Sequence, residues 1–194
     1  MKTSRLEAFS DGVLAIIITI MVLELKVPHG VELAALKPVL PVLSSYVLSF
    51  IYLGIYWNNH HHLFQATEEV SGGILWANLY LLFWLSLFPF TTAWMGENQL
   101  AAIPTAGYGF VLLMAAIAYY ILERAIIAKE GRESLVAQAV GKDRKAKLSL
   151  LLYLAAIPLA FVISWVAAGL YVFAALLWLI PDPRIEREIE KREK

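Results

Sequence analysis

The sequence predicts an all-α integral membrane protein, and three observations support this fold class. Of its 194 residues, 60% are apolar and only 16% are charged, whereas typical soluble domains have about 45–50% apolar and about 25% charged residues. The mean hydropathy is +0.66. The apolar residues are also grouped into blocks close to the roughly 20 residues that a transmembrane helix requires. These features exclude an ordinary water-soluble enzyme domain.

The charge balance and the residue types that are absent from the sequence exclude further classes of function. Sixteen basic and sixteen acidic residues cancel, so no overall positive charge favours a nucleic-acid partner. The sequence has no cysteine, which excludes disulfides, thiolate metal sites and cysteine nucleophiles. The His-Glu-x-x-His motif of an intramembrane metallohydrolase does not occur. We therefore expect no enzymatic activity, no cofactor and no resident metal.

Four apolar blocks predict the first four transmembrane helices. They cover approximately residues 5–27, 38–66, 73–96 and 104–129. The first block is not a signal peptide, because Asp11 interrupts it near its start and no small-residue cleavage site follows. Pro41 fits the first turn of the second helix, where a backbone N–H would have no helical partner.

The last apolar block is more ambiguous. It runs from Ala146 to Ile180, which is 35 residues, too long for one ordinary span and barely long enough for two. We predict two short helices at approximately 146–164 and 166–180, and the alternative is one tilted helix kinked at Pro158. The prolines that follow end the membrane domain at about residue 183. The charged segment 184–194 is predicted to be a solvated cytoplasmic tail.

Charge placement predicts the orientation of these six spans. With an internal N-terminus, 14 of the 16 basic residues lie on the cytoplasmic side, and only Lys26 and Lys37 lie outside. Short cytoplasmic loops carry an excess of lysine and arginine. We therefore expect a multi-pass protein of the cell membrane with both termini in the cytoplasm, whereas five spans would place the basic tail outside. The segment from Glu130 to Arg144 is the only sizeable predicted cytoplasmic loop.

The first helix separates into two faces at 100° per residue. One stripe, roughly 100° wide, is mainly apolar with a single hydroxyl, and it comprises Phe9, Gly12, Ile16, Thr19, Ile20 and Leu23. An ionisable residue inside a span is costly and by default marks function. We expect Ser10 and Asp11, which lie off the stripe, to join a buried polar network with Arg5 and a histidine of the second helix. The alternative is that Asp11 is an acid at the helix end with no such role.

Three consecutive histidines at the end of the second helix suggest a zinc site, but helical geometry argues against it. Adjacent helical residues diverge by 100°, so His60, His61 and His62 cannot converge on one ion. His60 shares a helix face with Trp57 and Phe64. We therefore expect His60 to turn inward toward the first helix, and the other two histidines to face the interface or solvent.

Motifs on the first three predicted helices resemble the transmembrane protein 175 family, potassium channels of lysosomes and of prokaryotic membranes. The first helix carries Arg-x-x-x-Phe-Ser-Asp-Gly, formed by Arg5, Phe9, Ser10, Asp11 and Gly12, and the stripe Ile16, Thr19, Ile20 and Leu23 follows it. The second helix carries Trp-x-x-His and then Leu-Phe, formed by Trp57, His60, Leu63 and Phe64. The third helix carries Asn-Leu and then Pro-Phe-Thr, formed by Asn78, Leu79, Pro89, Phe90 and Thr91. The rest of the chain resembles the family only in its number of spans.

This resemblance implies an assembly of four six-helix subunits, with the first helices lining a central pore. Animal members carry two such repeats per chain, so a chain with one repeat is similar to a prokaryotic homotetramer. The resemblance implies a hydrophobic constriction at Ile16, with further apolar rings at Ile20 and Leu23. It assigns potassium selectivity to Thr19 and Ile16, with a potassium ion bound only transiently near Thr19. The structural polar network that it implies comprises Arg5, Ser10, Asp11, Trp57, His60 and Asn78.

The implied function is passive, leak-type conduction of potassium among the monovalent cations. Proton conduction is one alternative, because lysosomal members of the family also pass protons. Secondary transport is another, and it would predict inverted repeats and broken helices near the midplane of the membrane. Six spans could form three plus three, but the two halves of this sequence do not match.

A second candidate filter occurs outside the first helix. Thr105–Gly109 is similar to the Thr-Val-Gly-Tyr-Gly filter of ordinary potassium channels, in which backbone carbonyls coordinate the ion. Residues 97–103 are too short and polar for the pore helix that such a filter needs, and an apolar run follows directly. We therefore expect Thr105–Gly109 to begin the fourth helix, with its glycines allowing close helix packing.

Overall fold

All the regular secondary structure is helical in the part of the chain that the structure describes. The structure is a computed structural model, and it describes residues 3–131, 133–140 and 144–179. Eight α-helices lie in these ranges: α1 (Thr3–Leu23), α2 (Leu40–Gln65), α3 (Gly72–Ser86), α4 (Phe88–Glu97), α5 (Ala102–Glu130), α6 (Leu135–Val140), α7 (Arg144–Leu159) and α8 (Ser164–Leu179). A short 3-10 helix, Leu33–Leu36, lies between α1 and α2. The predicted tail, 184–194, lies outside the described residues.

The protein is a membrane protein with several apolar helices. Within the described ranges, four helical segments are long and apolar enough to cross a bilayer: Thr3–Leu23, Leu40–Gln65, Gly72–Glu97 and Ala102–Glu130. The third of these segments is the pair α3 and α4. Helix α8 is also apolar but shorter, at 16 residues.

The third span is broken at Leu87, whereas the sequence predicts one continuous helix over 73–96. Helix α3 ends at Ser86, and α4 begins at Phe88 with Pro89 in its first turn. Proline has no N–H and its ring clashes with the carbonyl four residues earlier, so the helical hydrogen bonds are interrupted here. The Leu87 N–H donates to the Trp84 carbonyl at 3.2 Å, a three-residue turn that closes α3.

Helix α1 ends at Leu23, four residues before the predicted end at residue 27. Val27 precedes Pro28, and a residue before proline disfavours helical backbone angles. Beyond the helix, the Lys26 ammonium donates to the Glu97 carboxylate at 2.7 Å. This hydrogen bond raises the pKa of Lys26 and joins the segment after α1 to the end of α4.

The last apolar block forms two helices joined by residues 160–163. Pro158 lies inside α7, one residue before its end. The Ile163 N–H donates to the Leu159 carbonyl at 2.8 Å, which turns the chain into α8. The segment between Glu130 and Arg144, predicted as a loop, contains the short helix α6, whose Val136 is buried.

Helix α5 is the centre of the packing, with α3, α4, α7 and α8 around it. Its buried face includes Leu112, Ala115, Ala118, Leu122 and Ile126, none of which has exposed surface. Two of these are alanines, and small residues allow helices in membranes to approach closely. Helix α1 lies at the edge of this bundle, against α2, α3 and α4, so one side of α1 is left uncovered.

Candidate pore-lining helix and its polar network

Helix α1 has a covered face and an uncovered face. The covered face packs against α2, α3 and α4, and it comprises Leu6, Ser10, Leu14, Ile17 and Met21, all buried. These residues repeat at intervals of three or four, the spacing of one helix face. The covered face therefore fixes how α1 is rotated within the helical bundle.

The uncovered face of α1 is the stripe that the sequence singles out. In the single chain, Ile16 is 59% exposed, Ile20 is 42% exposed and Leu23 is 81% exposed. Thr19 is exposed as well, and its hydroxyl donates to the Ile16 carbonyl at 2.9 Å. That bond uses the hydroxyl proton, so the Thr19 oxygen faces outward with lone pairs that can accept a hydrogen bond or contact a cation.

Three polar residues of the predicted network meet behind α1. The Asn78 side-chain amide donates to the Ser10 hydroxyl at 3.0 Å, and His60 Nε2 lies 2.8 Å from Asn78 Oδ1. Because a carbonyl oxygen can only accept, His60 Nε2 carries the hydrogen in this arrangement. All three side chains are buried. The chain of bonds joins α1, α2 and α3 and ends with Ser10 donating to the Leu6 carbonyl at 2.9 Å.

The expectation that Asp11 and Arg5 belong to this buried network is wrong. Asp11 is exposed and accepts a hydrogen bond from Trp57 Nε1 at 3.0 Å. Asp11 is rotated 100° from Ser10 around the helix, so the two cannot face the same interface. Trp57 is 48% exposed. Arg5 is also exposed, and no ion pair joins it to another of the described residues.

The three consecutive histidines diverge, each into different surroundings. His60 is buried in the network. His61 stacks on Trp57 and lies 3.7 Å from the Glu7 carboxylate. His62 is half-buried, and its Nδ1 has no hydrogen-bond partner among the described residues. No group of three or more His, Cys, Asp or Glu side chains is placed to hold a metal within the described ranges.

Comparison with known proteins identifies the family. The family described as "Endosomal/lysosomal potassium channel TMEM175" matches residues 5–89, the part of the chain that holds α1, the buried network and α3. A potassium channel of Chryseobacterium sp. (strain P1-3) is 55% identical over 191 residues, which is 98% of this chain and 100% of that protein.

The chain belongs to the TMEM175 family.

Other TMEM175 relatives extend the comparison to structure and to animals. The crystal structure of a lysosomal potassium-selective channel TMEM175 homolog from Chamaesiphon minutus matches with a TM-score of 0.78 at 30% identity, over 93% of this chain and 97% of that one. The endosomal/lysosomal proton channel TMEM175 of Danio rerio is 27% identical over 67% of this chain but only 25% of its own length. The Chryseobacterium and Chamaesiphon proteins therefore match along nearly the whole chain, whereas the Danio rerio protein is much longer.

A second polar cluster of this TMEM175 member was not predicted from the sequence. The Ser49 hydroxyl lies 2.6 Å from the Thr92 hydroxyl and 2.9 Å from the Tyr108 hydroxyl, and all three residues are buried. This cluster joins α2, α4 and α5 next to Met21 of α1. A signal was present, because Ser45, Ser49, Tyr52 and Tyr56 repeat at helical spacing and mark an inward polar face on α2.

The second candidate filter, Thr105–Gly109, lies in the first two turns of α5. Its residues are helical rather than extended, and the Thr105 carbonyl accepts a hydrogen bond from the Tyr171 hydroxyl at 3.2 Å. A Cβ added at Gly109 would overlap that same hydroxyl. Gly109 therefore lies where α5 and α8 pack closely.

Proposed function

We propose that this TMEM175 member forms a potassium-permeable cation channel that conducts passively. The observation that carries the proposal is the uncovered stripe of α1, on which apolar side chains and one threonine hydroxyl face away from the rest of the subunit. The proposal also draws on the relatives, since the Chryseobacterium protein is named a potassium channel. The Chamaesiphon homolog is described as potassium-selective.

The subunit of the proposed channel spans the membrane six times, by α1, α2, the pair α3–α4, α5, α7 and α8. Helices α7 and α8 have 16 residues each, about 24 Å at 1.5 Å per residue, so they cross the roughly 30 Å hydrocarbon core only with help from flanking residues. An even number of spans puts the basic ends of α5 and α7 on the same side as the N-terminus. Excess positive charge favours the cytoplasm for that side, with both termini inside the cell.

The proposed assembly is a homotetramer with four copies of α1 around the axis. One helix cannot enclose a pore, whereas four copies can place each stripe residue in a ring. Ile16 and Leu23 would then be about 10 Å apart along the axis. Rings of Ile16, Ile20 and Leu23 would form a constriction that dewets when narrow, and a ring of Thr19 oxygens would replace part of the ion's hydration shell.

The buried network has a positioning role in this proposal. Ser10, Asn78 and His60 lie on the covered side of α1, so they do not touch the permeating ion. Because an unpaired buried polar group is expensive, the network favours one rotation of α1 about its own axis. That rotation decides which residues face the pore.

Two measurements test the proposal: the ion flux through the purified protein and the mass of its assembly. Purified protein in nanodiscs is expected to have the mass of four chains, and in planar bilayers it should give a passive current with a reversal potential that favours potassium over sodium. Thr19→Val keeps the side-chain shape but removes the hydroxyl, so the reversal potential should shift toward sodium. Thr91→Val is the matched control, because the Thr91 hydroxyl donates at 3.1 Å to the carbonyl of Leu87, the residue that precedes α4.

Three results would count against the proposal. A stable monomer would remove the shared pore. A flux that requires a coupled second ion would indicate a secondary transporter. A current carried by protons, with no potassium component, would favour the activity that the animal relatives' names describe.

A further inference from the structure

A cavity of about 330 Å³ lies inside each subunit, between α2, α5, α7 and α8. It is separate from the uncovered stripe of α1, since no α1 residue lines it. Its volume is at the lower end of the roughly 300–1,000 Å³ typical of ligand pockets. The proposed pore makes no use of this space.

The deep end of the cavity is aromatic, and three of the tyrosine hydroxyls in the lining have partners. Tyr52 donates to the Tyr171 carbonyl at 2.6 Å, and Tyr153 donates to the Tyr52 hydroxyl at 3.3 Å. Tyr119, nearer the mouth, donates to the Asn59 carbonyl at 3.0 Å. With these three donors occupied, the rings present mainly carbon to the cavity. The deep part therefore favours a mainly apolar guest.

The mouth of the cavity is charged. Arg124 and Lys147 line it and are both exposed, while Glu123 lines it and is buried. The Arg124 guanidinium lies 4.8 Å from the centre of the Tyr120 ring, a cation–π contact that holds it at the rim. Two cationic side chains and one carboxyl group therefore line the mouth, so its formal charge favours an anion.

The charged and apolar ends are separated along the helices. Ala116 and Arg124 both line the cavity and are eight residues apart on α5, about 12 Å at 1.5 Å per residue. A shorter separation of the same kind appears on α7, where Lys147 at the mouth and Tyr153 in the deep part are six residues apart, about 9 Å. A molecule that fits has one anionic end and a slender apolar body of roughly this length.

We propose that this cavity binds an anionic membrane phospholipid, with its phosphate on Arg124 and Lys147 and part of one acyl chain between α2, α5 and α7. Basic pockets between transmembrane helices on the cytoplasmic side are a known mode of binding for anionic headgroups. The mouth lies at the basic end of the bundle, which its charge assigns to the cytoplasmic leaflet. The opposite choice, a cationic amphiphile on the aromatic rings and Glu123, would have to pass two exposed cations.

The test is native mass spectrometry of the whole assembly with phosphatidylglycerol added at increasing concentration. The double variant Arg124→Gln/Lys147→Gln should weaken phosphatidylglycerol binding about tenfold or more. The matched control is Arg5→Gln/Lys129→Gln, which also removes two exposed charges but none from the cavity; it should bind like the wild type. Phosphatidylcholine should bind weakly to the wild type and to every variant, including the Ala116 variants below.

A second variant separates the acyl-chain site from the headgroup site. Ala116→Phe fills the deep part and leaves both cations in place, and Ala116→Leu fills it less and is the fallback if the larger side chain prevents folding. Both should weaken binding of phosphatidylglycerol, and free glycerol phosphate should not displace the lipid. All variants are compared at equal assembly mass and elution volume.

Several outcomes would overturn the proposal. If the Arg5/Lys129 control lost as much binding as the Arg124/Lys147 variant, general surface charge would account for it. If the Ala116 variants bound phosphatidylglycerol normally, or glycerol phosphate competed, no chain would enter the cavity. If a trimethylammonium lipid bound more tightly than phosphatidylglycerol in an Ala116-dependent manner, the site would select cations.

Discussion

The two faces of α1 are similar in composition and differ in what surrounds them. Ile17, on the covered face, is 3% exposed, while its neighbour Ile16, on the uncovered face, is 59% exposed. In water an exposed isoleucine stripe would indicate a docking surface. In a membrane, lipid tails are as apolar as leucine, so hydrophobicity alone does not determine which face of α1 packs against the other helices. The polar residues determine it, because Ser10 on the covered face has buried partners, whereas Thr19 on the uncovered face bonds only to its own helix.

The largest contrast should come from placing the same residue on the two faces. Ile17→Asn buries an amide in a packed interface, with an expected loss of stability on the order of 3–5 kcal/mol. We expect little or no assembled protein. Ile16→Asn should leave assembly intact and raise conductance severalfold, because a polar ring no longer dewets. Yield of the assembly and single-channel current measure the two effects. An equal loss of assembled protein in both variants would mean that Ile16 is also packed against other helices.

A smaller difference in stability is expected between variants of the buried network and variants of the exposed pair Asp11 and Trp57. His60→Ala leaves the Asn78 carbonyl oxygen without its donor, which should cost about 1–3 kcal/mol and lower the melting temperature of the assembly. Asp11→Asn should cost about 1 kcal/mol or less, because the site is exposed and an amide oxygen still accepts from Trp57. Neither should change the ratio of potassium to sodium permeability. If His60→Ala changed ion preference and left the melting temperature unaltered, the assignment of faces would be wrong.

Alanine substitutions at the two glycines of the second candidate filter test helix packing at a distance from α1, and the two are expected to differ in severity. Gly109→Ala forces the buried Tyr171 hydroxyl to move and should destabilise by about 1–3 kcal/mol. Gly107→Ala should cost less, because its nearest neighbour is the edge of the Trp94 ring at 3.1 Å and that ring can shift slightly. Selectivity should be unchanged in both variants. A loss of potassium preference with normal thermal stability would identify this segment as a filter.

The sequence predicts the fold correctly where the relevant pattern of residues lies within a single helix. Apolar blocks of bilayer length located the helices, and the alternation on α1 located its two faces. The break at Leu87 was not predicted, because Pro89 is also compatible with a proline tolerated inside a long span. The predicted end of α1 is four residues too late, because apolar residues continue to Val27 while Pro28 disfavours helical backbone angles in the residue before it.

The sequence predicts the site less well where the site depends on contacts between helices. The sequence predicts that His60 turns inward, because adjacent histidines diverge around the helix. Its hydrogen bond to Asn78 depends on how α2 and α3 pack together, and the spacing of residues along one helix does not predict that packing. The prediction that Asp11 joins Ser10 in one buried network is wrong, since the two neighbours in sequence are 100° apart around the helix. Asp11 bonds instead to Trp57, another residue of the implied network, at an exposed position. The Ser49–Thr92–Tyr108 cluster was missed because three separate helices contribute one hydroxyl each.

The measurement that tests the central claim most directly is thiol modification, since the native chain has no cysteine and each introduced one is unique. Thr19→Cys, Thr105→Cys and Phe83→Cys are compared in bilayers with a water-soluble trimethylammonium methanethiosulfonate reagent. Thr105 is buried in α5, and Phe83 is 54% exposed on α3. If the stripe of α1 lines the pore, the reagent should abolish most of the potassium current through Thr19→Cys and leave the other two variants unchanged. Block of Thr105→Cys with no effect on Thr19→Cys would contradict the account.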